Sequence, residues 1–243
     1  MFDILVFITA TIHCGNTPVV KRSDPDVRKL DYFRGLNSWL NRDVKADIVF
    51  CENSGADLSE FRGAAQSAGM SNSVRFLSFS GNSGAERFGK GYGEIDMLKY
   101  AFANLPELSR YRYVVKVSGR YFYRNPSEIV QRVSESTADV LCDVHHYLQY
   151  GDTHTVALKP EIAVKHLLPY QEELDENLGV VVEHLMARCV HRTLLAGGSW
   201  RPLPCTPRCD GVSGSWNTSE RYTFIRGLKQ DIKRRLASWI YRF

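Results

Sequence analysis

Residues 112–125 read RYVVKVSGRYFYRN. Tyr113, Val114, Val115 and Val117 are aromatic or β-branched, so this run predicts a buried strand that Ser118-Gly119 ends in a tight turn. The turn then delivers Arg120. Ligands of α/β proteins gather at the carboxyl ends of strands, so Lys116, Ser118, Gly119 and Arg120 mark this edge as the floor of a diphosphate site. The plainer reading is a lysine snorkelling from an ordinary strand and an arginine paired at the surface.

Toward the N-terminus, residues 2–12 (FDILVFITATI) form a continuous apolar run, as in a central parallel strand covered on both faces. Its end makes Thr9, Thr11 and His13 candidates for base or ribose contacts, against the simpler reading that they only finish the strand. Asp24-Pro25 opens a helix with Leu30, Phe33, Leu36 and Leu40 on one face. Residues 46–51 (ADIVFC) predict a second strand that leads to Glu52, and residues 74–79 a third. Strand and helix alternate at a spacing that argues for a parallel sheet with right-handed crossovers.

Residues 89–94 read GKGYGE. Glycines at alternate positions fit neither a helix nor a strand interior, and an apolar helical pattern follows them. A glycine-rich loop feeding a helix start offers free N–H groups, with Lys90 adding charge, so Lys90, Gly91, Gly93 and Glu94 are candidate phosphate or sugar contacts. A plain glycine-rich turn is the alternative. Past the central strand, residues 138–144 predict another strand. His145, His146, Asp152 and His154 follow at no standard metal-ligand spacing, so they read as solvated loop residues. Glu183 stands near a helix start where a carboxylate can face a cleft, or where it merely suits the helix dipole. Residues 210–216 (DGVSGSW) form a small-residue loop able to fold over a ligand through Ser213, Gly214 and Ser215.

The 243 residues suffice for one large α/β domain, and 44% apolar with 24% charged residues excludes disordered and fibrous classes. The net charge of +4 is mild, but basic residues crowd the last eighteen positions. The six cysteines read as reduced thiols; Cys205 and Cys209 lack the second pair that a structural zinc needs. No run has the length of a membrane span and no signal-peptide pattern is present, so the body is expected in the cytoplasm, with no nucleic-acid partner. From Tyr222 onward the pattern predicts one helix, with Leu228, Ile232 and Leu236 on an apolar stripe and arginines and lysines elsewhere. Two segments follow: residues 1–220 as the α/β domain, and residues 221–243 as a basic amphipathic helix lying on an anionic membrane surface.

The order of ITATI, IVFCENSG, GKGYGEIDML, YVVKVSGRYFYRNP, a Glu-bearing helix start and DGVSGS resembles small bacterial glycosyltransferases from capsule and O-antigen clusters. The resemblance covers most of residues 2–217 and implies a GT-A-like (Rossmann-like), mostly parallel central sheet flanked by helices. It implies transfer of a sugar from a nucleotide-sugar donor to a glycan or lipid-linked glycan at the inner face of the membrane. Enzymes of that fold usually carry an Asp-x-Asp metal motif where this chain has residues 116–120. Lys116 and Arg120 are therefore expected to clamp the leaving diphosphate in place of an ion, helped by Lys90. No cofactor is expected, the nucleotide-sugar being a substrate, although Asp139 and Asp143 leave a Mg- or Mn-assisted version open. By the same resemblance Glu183 matches the general base of inverting enzymes, with Glu52 and Glu94 as rivals. The competing functions are a nucleotidyltransferase of similar layout and a non-catalytic membrane-binding module.

Overall fold

The computed structural model describes residues 2–41, 43–214, 217–223, 227–229, 231, 232, 234 and 236. Its frame is a seven-stranded sheet. Strands β1 (Ile4–Ala10), β2 (Asp47–Glu52), β3 (Val74–Ser78) and β4 (Tyr113–Ser118) are parallel, with β1 between β2 and β4. Every residue of β1 is buried, because helices cover both faces. Val6 and Ile8 point into one core with Leu36, Trp39 and Phe61, while Leu5 and Phe7 join another with Leu98, Leu185 and Met186. Two-sided burial explains why β1 reads as an unbroken apolar run.

Helix α1 (Pro25–Trp39) begins where the sequence indicates. Asp24 caps it by accepting hydrogen bonds from the N–H groups of Asp26 and Val27 at 2.9 and 3.1 Å, and Pro25 supplies a preset first turn. Helix α2 (Ser59–Ser67) follows β2. Beyond β3, a short α3 (Ser83–Phe88) leads into α4 (Lys90–Asn104).

After β4 come a short β5 (Phe122–Tyr123), α5 (Pro126–Ser134), β6 (Val140–Leu141), and a hairpin of β7 (Val144–His145) and β8 (Tyr150–Gly151). Strand β9 (Thr155–Leu158) runs antiparallel to both β4 and β6, so the sheet is mixed at this side. The hairpin thus leaves and re-enters the sheet at the edge where β1 and β4 end. Its tip, His146, Tyr147 and Leu148, holds three consecutive positive φ angles.

The helix that begins at Pro160 is short. Helix α6 (Pro160–Ile162) widens over Ala163–Leu167, and Pro169, lacking an N–H, stands at the start of a tighter turn over Leu168–Glu173. Helix α7 (Val182–Leu195) covers the sheet, β10 (Trp200–Arg201) extends it beside β6, and β11 (Cys209–Val212) pairs with β5 and with β12 (Ser219–Glu220). No disulfide links the six cysteines.

The tail helix begins later than the sequence suggests, since Tyr222 and Thr223 are not helical. Its described residues from Gly227 on are. Arg234 pairs with the buried Asp143 and donates to Thr206, whose hydroxyl also meets Asp231. Leu228, Ile232 and Leu236 stay 50%, 50% and 54% exposed. Ile225, Trp239, Ile240 and Phe243, which continue the same apolar spacing, lie outside the described residues. Among the described residues, no helix is long and apolar enough to cross a membrane.

Candidate functional site

The strand order reverses between β1 and β4: β2 and β3 lie to one side of β1, β4 and β9 to the other. A crevice opens at such a switch point, outside the carboxyl ends of the strands. Here it is a cleft of about 220 Å3. Thr9 and Thr11 enter from β1, and Ser118, Gly119, Arg120 and Tyr121 from the turn after β4. Arg28 and Tyr32 come from α1, Lys90 and Glu94 from the start of α4, and Tyr150, Thr153 and His154 from the β8–β9 segment. Val182 and Glu183 arrive on the first turn of α7, and Ser213 and Gly214 close one side.

The turn after β4 requires its glycine. Gly119 donates its N–H to the Thr9 carbonyl at 3.1 Å, and a Cβ there would come within 2.6 Å of that same oxygen. Ser118 N–H donates to the His154 carbonyl at 3.0 Å, so the turn is tied to both neighbouring strand ends. Arg120 then lies against Gly214, where any side chain would collide with the guanidinium. Among the described residues, its hydrogen bond is a long one to the Val212 carbonyl, 3.4 Å. A planar cation at a cleft wall suits a phosphate. The Gly214 carbonyl accepts from the N–H groups of Lys21 and Arg22 at 2.9 and 3.2 Å, which holds this loop over the cleft.

The structure places several expected contacts elsewhere. Lys116 does not reach the cleft as a clamp: its ammonium is 3% exposed and donates to Glu94 Oε1 at 2.5 Å and to the Thr153 carbonyl at 2.6 Å. A buried strand interior tolerates an ammonium only when it is paired in this way. Lys116 therefore positions Glu94 and the segment before β9. Glu52 is fully buried and is not a donor contact. Its carboxylate accepts from the N–H groups of Ile12, Ser54 and Ala56 at 2.9, 3.0 and 3.0 Å and from the Ser54 hydroxyl, joining the loops after β1 and β2. His13 is exposed and anchored to Ser54, outside the cleft lining.

The GKGYGE string is not a loop. Gly89, at φ 107, precedes α4, and Gly91 and Gly93 already lie inside the helix. Their missing side chains make room for packing: a Cβ on Gly91 would stand 2.8 Å from the Val182 Cβ, and one on Gly93 2.9 Å from the Asn53 amide. Gly91 N–H donates to Glu176 Oε1 at 2.8 Å, so a carboxylate of this chain occupies the helix start where phosphate contact is expected. Burial raises the Glu176 carboxyl above its usual range, against the opposing pull of that hydrogen bond. Ser215 lies outside the described residues.

Thr9, Thr11, Lys90, Glu94, Ser118, Gly119, Arg120, Glu183, Ser213 and Gly214 do converge. Thr11 is partly engaged, donating to Asn53 Oδ1 at 2.6 Å. Glu183, almost buried, accepts from the Tyr150 hydroxyl and from Thr153 Oγ1 at 3.5 Å. Burial, reinforced by Glu183, pushes the Tyr150 phenol up to about 12, so it remains a hydrogen-bond donor to the carboxylate.

Arg28, Tyr121, Tyr150 and His154 line the cleft without having been singled out as binding residues in the sequence. Arg28 is buried and fixed, donating to the carbonyls of Thr11 and Arg22 at 2.7 and 2.9 Å and to the Tyr32 hydroxyl at 3.0 Å. A pairing of Asp152 with His154 two residues on was the available signal.

The carboxylates that could have supported a metal are engaged away from the cleft. Asp139 pairs with Lys159 at 2.7 Å and accepts from Ser199, and Asp143 pairs with Arg234. Among the described residues, no group of three or more His, Cys, Asp or Glu gathers to hold an ion. A larger hollow of about 730 Å3 lies at the opposite, amino edge of the strands, where Arg75 pairs with Glu107 and Tyr111 with Asp47. The smaller cleft is the one at which the carboxyl ends of the strands converge.

No protein-family model and no curated protein matches the sequence. Solved structures do match the fold. A protein from Desulfovibrio desulfuricans G20 assigned as a nucleotide-diphospho-sugar transferase has a TM-score of 0.50 at 14% identity, over 84% of this chain and 80% of that one. The galactosyltransferase LgtC, in complex with donor and acceptor sugar analogs, has a TM-score of 0.48 at 9% identity, over 81% and 73%. At these identities the likeness is one of architecture: a mixed α/β sheet flanked by helices, arranged as in GT-A-like proteins.

Proposed function

We propose that the chain is a glycosyltransferase that moves a sugar from a nucleotide-sugar to a lipid-linked or growing surface polysaccharide, of the capsule or O-antigen kind. One observation carries the reading. The ends of β1 and β4, the start of α4, the first turn of α7 and the 213–214 loop meet in one cleft holding both cations and a sheltered carboxylate. The nucleotide-diphospho-sugar fold supports it.

In this reading Thr9 and Thr11 meet the nucleoside, and Arg120, with Lys90, faces the diphosphate. An acceptor hydroxyl attacks the anomeric carbon as the bond from that carbon to the diphosphate oxygen breaks, and the diphosphate leaves with the bonding pair. Glu183 takes the acceptor proton, and attack on the face opposite the leaving diphosphate inverts the anomeric centre. Fixed cations stabilise the charge that develops on the leaving group, as a divalent ion otherwise would.

The tail helix adds the acceptor's location. It docks through Arg234 and Asp231 and leaves Leu228, Ile232 and Leu236 half-exposed at four-residue spacing. A stripe of that kind beside basic residues favours an anionic membrane surface, which would hold the enzyme peripherally at the cytoplasmic face beside a lipid-carried glycan.

Hydrolysis of a panel of nucleotide-sugars, with and without a chelator, tests the activity. Release of a nucleoside diphosphate that persists in chelator is expected. Loss in chelator with recovery on adding Mg or Mn would return an ion to the mechanism, and release of pyrophosphate would make the chain a nucleotidyltransferase. Turnover of no sugar nucleotide, together with no thermal stabilisation by any nucleoside diphosphate, would leave a non-catalytic module.

A further inference from the structure

Arg28 lines the cleft and is 4% exposed, yet among the described residues no carboxylate pairs with its guanidinium. The acids beside it in sequence are engaged. Asp31 holds Arg22 at two points, 2.5 and 3.0 Å, and Asp24 caps α1. Buried cations are ordinarily paired with an anion, and Arg28 also stands one turn into α1, near the end of a helix that disfavours positive charge. Bonded only to neutral oxygens, the guanidinium keeps its full charge for an incoming anion.

Hydrogen accounting shows what Arg28 can offer. Its Nε–H goes to the Thr11 carbonyl, and Nη1 and Nη2 each give one hydrogen, to the Arg22 carbonyl and the Tyr32 hydroxyl. A guanidinium carries five, so each terminal nitrogen has a second hydrogen to donate. The buried Tyr32 hydroxyl accepts from Arg28, and among the described residues its own hydrogen meets no protein acceptor. Both residues lie on the buried face of α1, which Gly35 lets approach the turn after β4: a side chain at 35 would collide with the Gly119 carbonyl. Helix α1 thereby brings Arg28 and Tyr32 to the rim that carries Arg120.

We infer that Arg28, with the Tyr32 hydroxyl, binds the phosphate next to the nucleoside, and that Arg120 binds the outer phosphate, which carries the sugar. The inference rests on the nucleotide-sugar reading of the cleft. The order follows from the strand ends. Arg28 is bonded to Thr11, just past β1, where that reading puts the nucleoside, whereas Arg120 comes from the turn after β4 and lies against Gly214. The two cations flank one loop, because the Arg22 carbonyl that Arg28 holds belongs to the residue whose N–H meets the Gly214 carbonyl. Arg28 and Tyr32 donate hydrogen bonds to phosphate oxygens, and no covalent bond changes at either.

The test is calorimetric titration of nucleosides, their monophosphates and their diphosphates, in the uridine, guanosine, adenosine, cytidine and thymidine series, into wild type, Arg28→Gln and Arg120→Ala. In the series that wild type binds, Arg28→Gln is expected to lose about tenfold in affinity for monophosphate and diphosphate alike, with nucleoside affinity close to wild type. Arg120→Ala should keep the monophosphate and lose about tenfold on the diphosphate alone. An equal loss on nucleoside, monophosphate and diphosphate in Arg28→Gln would make Arg28 a brace of the chain between Thr11 and Arg22. A loss confined to the diphosphate would move it to the outer phosphate. Either result overturns the inference and leaves the cleft reading intact, whereas failure of wild type to bind any diphosphate would overturn both. Should Arg28→Gln fail to fold, Tyr32→Phe reads the same pattern at about threefold.

Discussion

The Lys116 ammonium stands 2.5 Å from Glu94 Oε1, on a strand interior nearly sealed from solvent. The pair joins the centre of the sheet to the first turns of α4 and, through the Thr153 carbonyl, to the segment that carries His154. Lys116 thus stabilises the cleft's frame and, in the proposed reaction, leaves the anion to Arg120. Lys116→Met is expected to cost about 3 kcal/mol, since it strands the Glu94 carboxylate, while Lys116→Met with Glu94→Leu should cost less than the single change. Chemical denaturation of the two variants measures this, and equal losses would refute it.

Arg120→Ala should leave the thermal midpoint close to wild type, because among the described residues the guanidinium makes one long hydrogen bond. Transfer should fall by about 100-fold or more, with a matching loss of nucleoside-diphosphate stabilisation. Arg120→Lys should recover only a fraction, for want of the planar fork. Near-normal turnover in Arg120→Ala would remove it from the site.

Gly91→Ala brings a methyl to 2.8 Å from the Val182 Cβ, one residue before Glu183. The expected result is a loss of about 1–3 kcal/mol in stability and a larger loss of turnover, since α7 and its carboxylate must shift. Kinetics and denaturation on the same variant test whether activity falls further than the folded fraction alone explains.

Asp152 gives a pH-dependent prediction. Its carboxyl is down to about 2 in the folded chain, below its unfolded value. The stabilisation is therefore complete above the unfolded carboxyl range and is lost as pH falls toward about 2. Wild type should exceed Asp152→Asn in thermal midpoint above the unfolded carboxyl range, and the margin should shrink on the acid limb. A margin that widens there would contradict the assignment.

Deleting residues 228–243 should abolish sedimentation with anionic vesicles yet spare transfer to a soluble acceptor. Arg234→Ala should be destabilising by about 1–3 kcal/mol, because Asp143 is left buried without its cation. Unchanged vesicle binding after the deletion would assign the helix to the body alone.

The strands β1, β2 and β4 were legible because two-sided burial leaves long apolar runs, and Arg120 because it follows a strand-ending Ser-Gly. Their shared cleft follows from parallel crossovers, which put successive strand ends on one edge. The glycines of α4 were misread. Sequence records an absent side chain, but not that Val182 and Asn53, from other elements, fill the space. Lys116 and Glu52 were misplaced for a related reason: a charged residue on a strand reads as available until its buried partner is known. The hairpin of β7 and β8 was invisible because two-residue strands carry no period.

That hairpin has a consequence for how the protein can change. Tyr150 of its second stem lines the cleft, whereas its tip, with Tyr147 98% exposed, carries three non-glycine residues in left-handed backbone. Glycine or asparagine there should relieve the tip, and longer sequences can be grafted between residues 146 and 148 without disturbing any strand of the sheet. The rim nearest Tyr150 and His154 is thus an exchangeable margin, whose length and chemistry can be rewritten while the strands that frame the cleft stay as they are.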